Sequence, residues 1–282
     1  MLNIFIVLIG SAGILGGEEK VRKDSQEQTS ASIGADRSRE HAHPNILFVM
    51  CDQLSALYTS PYGNEVAKTP NLQKLAERGV TFVNNYSNAP LCAPSRASMM
   101  TGRLSSDVPI HDNSGELPSS TPTFVHHLRH GGYATCLSGK MHFVGPDQLH
   151  GFEERLTTDI YPADFSWTEL WNDRPGPLRR LSKPEIDKDA QELPPMARMV
   201  STAGPVPWSA QLDYDESVHF HALERIRRLG RRRNGAAEQP WFLCVSYTQP
   251  HDPYNPDQEH WDRYEGVDIP MPEDPQPVTA PM

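Results

Sequence analysis

Cysteine is scarce in this chain: Cys51, Cys92, Cys136 and Cys244 are the four among 282 residues, and no two stand close together. That spacing, with three of the thiols in or beside apolar, strand-like runs, favours buried free thiols over a disulfide framework or a zinc site. Positive charge is also short, with 26 Lys and Arg against 36 Asp and Glu and a formal net charge of −10. A nucleic-acid partner is therefore not expected, because phosphate backbones would be repelled by this field. Long apolar runs are missing beyond the N-terminus, and a mean hydropathy of −0.56 excludes a membrane bundle or a stable membrane span in the body of the chain. No internal repeat is visible.

The exceptional run opens the chain. Residues 1–17, MLNIFIVLIGSAGILGG, have an apolar core too short to span a bilayer comfortably, with small residues after it and no Lys or Arg before it. This reads as a signal peptide and gives the expectation of export, periplasmic or extracellular, with a membrane tether, a misplaced start and a cytoplasmic location as the alternatives. Residues 18–43 are polar and aperiodic, which suits a disordered linker. Residues 258–282 are rich in proline and acidic side chains and read as a poorly ordered tail.

Between these segments the chain alternates strand-like and helix-like patterns. Ile46 to Cys51 is an unbroken apolar run suited to a strand covered on both faces. A helix follows from Pro70, capped by Thr69, striped by Leu72, Leu75 and Ala76 and ended by Gly79, and Val80 to Val83 reads as the next strand. The pattern recurs with Thr121, Pro122, Phe124, Val125, Leu128 and Gly131, then Tyr133 to Leu137. From about Asp159 to Pro207 it dissolves into an excursion over the sheet. A helix from Asp215 to about Leu229 and a central strand from Trp241 to Tyr247 close the series. The fold class expected is α/β, a mixed, mostly parallel sheet with helices on both faces, over residues 44–257. Arg225, Arg227, Arg228, Arg231, Arg232 and Arg233 crowd one helix end, where cations suit the negative dipole end.

The most informative stretch is PLCAPSRASMMTGR, Pro90 to Arg103. Pro94 is tolerated in a first helical turn, and Gly102 suits the stop, so Cys92 falls at a helix N-terminus. Free N–H groups and the positive dipole end there favour a thiolate, a sulfate, a phosphate or a metal-bound oxyanion. Arg96 adds a fixed cation one turn on. Asp52 and Gln53 stand just past the first strand, where ligands of open α/β sheets bind. His126, His127 and His130 share a helix without the flanking acid of a zinc protease, and they are assigned no role, like His219 and His221.

The run C-x-P-S-R followed by T-G-R resembles the type I sulfatases of the alkaline phosphatase superfamily. The resemblance extends from about Asn45 to Pro256, and NILFVMCDQL, TPNLQKLAERGVTF, SGKMHFVGPDQLHGFEERLTTDIYPADFSWT and TQPHDPY resemble choline sulfatases in particular. It implies that Cys92 is oxidised by a separate formylglycine-generating maturation enzyme, and that the hydrated aldehyde attacks the sulfur of a small sulfate ester, choline sulfate or a related alkyl sulfate. It implies Asp52, with Gln53 and the modified Cys92, as metal ligands. Hard oxygen donors suit calcium, magnesium or manganese, and calcium is the ion implied. Arg96 and Lys140 would neutralise sulfate charge, His142 orient the nucleophile, and His251 contact the sulfate or protonate the leaving alcohol. Asn113 matches a residue near the sulfate. Trp167, among Tyr161, Phe165 and Trp171, is the aromatic candidate for a quaternary ammonium.

Two features depart from the family pattern. No Asp followed by His or Asn, and no further lysine, is found downstream of His251 to complete the metal site, and the remaining sheet and C-terminal subdomain are missing. The expectation is the N-terminal part of a sulfatase catalytic domain, from a fragment or truncated product. A phosphonate monoester or phosphodiester hydrolase of the same superfamily, and a noncatalytic remnant, are the alternatives. Homo-oligomerisation stays open.

Overall fold

The computed structural model describes residues 7–10, 43–161, 200–230 and 239–270. Its strands are β1 (Val7–Gly10), β2 (Ile46–Cys51), β3 (Ala134–Gly139), β4 (Glu154–Arg155) and β5 (Trp241–Tyr247), in the order β1-β2-β5-β3-β4. Strands β2, β5, β3 and β4 run parallel, and β1 pairs antiparallel with β2 at one edge. The described helices are α1 (Pro70–Ala76), α2 (Cys92–Thr101), α3 (Phe124–His130), α4 (Ala210–Gly230) and α5 (Gln258–Asp262). None of them is long and apolar enough to cross a membrane.

Alternate residues of a strand point to opposite faces, and each face here has its own core. Phe48 and Met50 of β2, Leu137 of β3 and Phe242 of β5 pack with Met100 of α2 and Val125 of α3. On the other face Cys136, Leu243 and Val245 lie under Val218 and Ala222 of α4. Both faces are covered, which is why ILFVMC and WFLCVSY read as unbroken apolar runs. Leu137 and Leu243 are fully buried, and cutting either to alanine would cost about 2–5 kcal/mol. All four cysteines are free, as expected.

Several local expectations need correction. Val80 to Val83 is not a strand, because those residues find no pairing partner among the described residues and stand exposed. The Thr69 side chain does not cap α1; its hydroxyl accepts from the Ser60 backbone N–H instead, at 2.8 Å. Helix α3 is capped by Thr123 rather than Thr121, with His126 completing the capping box, so His126 has a structural task. Helix α4 starts at Ala210, five residues earlier than the pattern suggested. Of the arginine cluster, Arg225 pairs with Glu154 and Arg228 with Glu224, while residues 231–233 lie outside the described residues. The tail begins with α5, capped by the Asp257 carboxylate accepting from His260 N–H.

Candidate active site

The topology puts β5 between β2 and β3, so the residues leaving β2 and β3 meet across the carboxyl end of β5. Asp52 follows β2 directly and Lys140 follows β3. The two approach closely because Gly139 ends β3 with φ +114°, and a Cβ there would lie 2.0 Å from the Ser246 carbonyl oxygen. The Lys140 N–H donates to that same carbonyl at 2.9 Å. Lys140 Nζ then reaches Asp52 Oδ2 at 2.5 Å, with both side chains fully buried.

Helix α2 is aimed at this point by its N-terminus. Cys92 is its first residue, and Gly102 closes it in the left-handed conformation at φ 67°. Leu91 offers no side-chain cap, and the Asn113 carboxamide supplies one from a distance, Oδ1 accepting the Ala93 N–H at 3.0 Å. One turn in, Arg96 is buried and directed at the strand ends. Its Nη2 lies 3.2 Å from Asp52 Oδ2, and its Nη1 donates to Ser246 Oγ at 3.0 Å and to the Lys140 carbonyl. The Cys92 thiol stands 3.8 Å from Asp52 Oδ1 and 4.0 Å from Lys140 Nζ.

The electrostatics follow from this packing. Burial would raise the Asp52 carboxyl, but Arg96 and Lys140 hold it well below the usual carboxylate range, so it stays ionised. Burial raises the Cys92 thiol above its ordinary value, against the opposing pull of Lys140. The helix N-terminus therefore does not make a thiolate here, and desolvation is the physical reason. Burial, with help from Lys140, pushes His142 down to about 4, so its ring is neutral at neutral pH.

A second tier of residues holds this one. His142 adopts φ 58°, and its Nε2 lies 3.1 Å from the Asn113 carbonyl. The Asp159 carboxylate accepts the backbone N–H groups of Met141 at 3.0 Å and His142 at 2.7 Å, and Arg155 pairs with it at 2.8 Å. Tyr161 lays its ring 4.4 Å from Lys140 Nζ and its hydroxyl 3.4 Å from His251 Nε2. His251 Nδ1 sits 2.7 Å from the Asp252 carbonyl, and Gln53 Oε1 accepts the Asp252 N–H at 3.2 Å. Cys92, Arg96, Lys140 and Asp52 thus touch directly, while His142, Asn113, His251 and Gln53 surround them. Trp167 lies outside the described residues. Sequence reasoning missed Asp159, Arg155, Ser246 and Asp252. Asp159 alone had a usable signal, as the acidic residue just before the YPADF stretch.

The donor set suits a divalent cation. Ligand atoms of Asp52, Cys92 and His251 lie within 4.8 Å of one another. Oδ2 of Asp52 is occupied by Lys140 and Arg96, which leaves Oδ1, on the Cys92 side, for a cation. Asp252 Oδ2 is buried with no hydrogen-bond partner, a further acceptor beside His251.

The family model named Sulfatase matches residues 44–280. The choline-sulfatase of Rhizobium meliloti (strain 1021) is 47% identical over 230 residues, which are 82% of this chain and 43% of that protein. Phosphonate monoester hydrolases from Silicibacter pomeroyi and Agrobacterium radiobacter have similar solved structures, with TM-scores of 0.54 and 0.53 at 21% and 24% identity. Each comparison covers 81% of this chain and 45% of the solved one, and it concerns the fold alone. The chain spans less than half the length of these relatives. The strand-end cluster around Cys92 and the match over residues 44–280 lead to one conclusion: the chain belongs to the sulfatase family.

Proposed function

We propose that this chain carries the nucleophile half of a sulfuric ester hydrolase acting on small sulfate monoesters, with choline sulfate or a related alkyl sulfate as substrate. The observation that carries the reading is the Cys92 thiol at the start of α2, beside Asp52 Oδ1 at 3.8 Å and Lys140 Nζ at 4.0 Å. Burial raises the Cys92 thiol, so the unmodified side chain is a weak nucleophile at neutral pH, and the C-x-P-S-R run around it supports its conversion to formylglycine by a maturation enzyme.

A divalent cation, calcium in this reading, would be held by Asp52 with Gln53 and the modified residue 92 as further ligands, and would polarise the oxygen ligands and screen sulfate charge. Lys140 presents its ammonium to a sulfate beside residue 92, and Arg96 keeps Asp52 and Ser246 fixed beneath it. His142 is neutral; with Nε2–H on the Asn113 carbonyl, its Nδ1 carries the lone pair that orients the nucleophile's hydroxyl. His251, anchored through Nδ1 by the Asp252 carbonyl, has Nε2 to serve the leaving alcohol. Trp167 supplies an aromatic face for a quaternary ammonium, worth about 0.5–2 kcal/mol. Choline sulfate is favoured by the 47% identity to a choline-sulfatase. The apolar N-terminal run supports export from the cytoplasm.

The test is a parallel assay of matured protein, loaded with calcium, on choline sulfate and on a phenyl phosphonate ester. Sulfate release as the faster reaction is expected. Faster cleavage of the phosphonate would replace this reading with that of a phosphonate monoester hydrolase.

A further inference from the structure

Helix α4 does more than cover the sheet. Val218 and Ala222 pack on Leu243 and Val245 of β5, while two earlier side chains, Gln211 and Asp215, stand one turn apart and reach the segment that leaves β5. The Asp215 carboxylate accepts two successive backbone N–H groups, that of Thr248 on Oδ1 at 2.7 Å and that of Gln249 on Oδ2 at 2.8 Å. Gln211 Nε2 donates to the Asp252 carbonyl at 2.8 Å, and Gln211 Oε1 accepts from Gln249 Nε2 at 3.3 Å. Among the described residues neither side chain bonds to Cys92, Asp52, Arg96 or Lys140, so what they fix is the loop.

These bonds bracket His251. Thr248 and Gln249 come just before it and Asp252 just after, and the His251 N–H closes the turn onto the Thr248 carbonyl at 3.1 Å. The Asp252 carbonyl that Gln211 reaches is the same atom that fixes His251 Nδ1 at 2.7 Å. From the end of β2, Gln53 accepts the Asp252 N–H at 3.2 Å. The residue that anchors the imidazole is thus tied to α4 through its C=O and to β2 through its N–H. Bonds to a carboxylate are about twice as strong as neutral ones, so Asp215 carries the larger share of the hold. Such a hold matters at a reacting centre, where a misplacement of about 1 Å costs about a hundredfold in rate.

We propose that Asp215 and Gln211 are positioning residues for the leaving-group step: through the loop they set where His251 Nε2 stands, and neither touches substrate. This rests on the reading that His251 serves the leaving alcohol. The role has a chemical signature. As the residue-92 oxygen bonds to sulfur and the ester S–O bond breaks, the bond's electron pair passes to the departing oxygen. In an alkyl sulfate that oxygen is strongly basic unless His251 Nε2–H delivers a proton, whereas a nitrophenolate leaves without that help. A residue that only held the fold together would affect both esters alike. One that places the acid affects the alkyl ester.

The test compares Asp215→Asn, Gln211→Leu and His251→Ala in matured, calcium-loaded protein, with hydrolysis of choline sulfate and of nitrophenyl sulfate and the imidazole NMR signals of histidine-labelled chain as readouts. In Asp215→Asn, kcat for choline sulfate should fall by about tenfold or more and kcat for nitrophenyl sulfate by less than about threefold, with a smaller split of the same sense in Gln211→Leu. Adding Asp215→Asn to His251→Ala should cost nothing further, because both act through one group. The His251 signals, assigned by their loss in His251→Ala, should shift in both other variants. Gln211 is half-buried, so Gln211→Leu keeps the test decisive should Asp215→Asn fail to fold. Equal losses on both esters, an Asp215→Asn loss that persists beside His251→Ala, or unmoved His251 signals would each overturn the proposal. Full choline sulfate turnover by His251→Ala would remove the role given to His251 and the proposal with it, whereas a loss there and none in the other two variants defeats the positioning alone. The imidazole signals need no turnover, so they decide the positioning whatever the sulfate assay shows.

Discussion

Lys140 Nζ lies 2.5 Å from Asp52 Oδ2, and neither side chain is exposed to solvent. The two residues leave strands that do not touch each other, and only the crossing of both over the end of β5 brings them together. Arg96 shares the same carboxylate oxygen at 3.2 Å, so one anion holds two buried cations. Removing the anion strands both.

Asp52→Asn should therefore destabilise the protein by about 3–5 kcal/mol, the usual cost of leaving buried charge uncompensated. Lys140→Met should cost less, because Asp52 keeps Arg96. Urea unfolding of both variants checks the order. Equal losses, or a change below about 1 kcal/mol for Asp52→Asn, would contradict the pairing.

Gly139→Ala should be poorly tolerated. Its φ of +114° disfavours any side chain, and the added carbon would meet the Ser246 carbonyl at 2.0 Å. The expected loss is about 2–4 kcal/mol, with weaker retention of Lys140 at Asp52. A melting temperature equal to that of wild type would show that the close approach of β3 to β5 is not needed.

Asp159 gives a pH signature. Burial opposes its charge, but Arg155 and the Met141 N–H hold its carboxyl below the ordinary range. A carboxyl depressed on folding adds stability that is fully present above its unfolded pKa, about 4, and is lost as pH falls through the lower folded value. Wild type should lose stability below about pH 4 more steeply than Asp159→Asn, whose side chain does not titrate. Parallel acid-unfolding curves would remove Asp159 from the support of His142.

Cys92→Ala should leave the fold intact and reduce turnover of the matured protein by about 10⁴-fold or more, the scale of losing a nucleophile. Circular dichroism and choline sulfate hydrolysis measured together would check both halves. Residual hydrolysis near the wild-type rate would reject Cys92 as the nucleophile.

The central strands were legible because burial on both faces leaves an apolar run that nothing else explains: Ile46–Cys51 and Trp241–Tyr247 match their expected bounds. Cys92 was placed at a helix start by Pro94 and Gly102, and it is there. Val80 to Val83 failed because β-favouring residues need a partner strand, and the described residues provide none. The rise of the Cys92 thiol above its ordinary value was not legible, because helix polarity is visible in sequence and desolvation is not. Ser246 was missed for a related reason: it accepts from Arg96 and from the Lys140 N–H across the fold, and a lone serine carries no sign of such contacts.

The most direct measurement is the intact mass of the peptide spanning Cys92, taken from protein co-produced with a formylglycine-generating enzyme and assayed in the same preparation. The account predicts an aldehyde in place of the thiol at residue 92, with choline sulfate hydrolysis rising in proportion to its fraction. An unmodified thiol at residue 92 in fully active protein would contradict it.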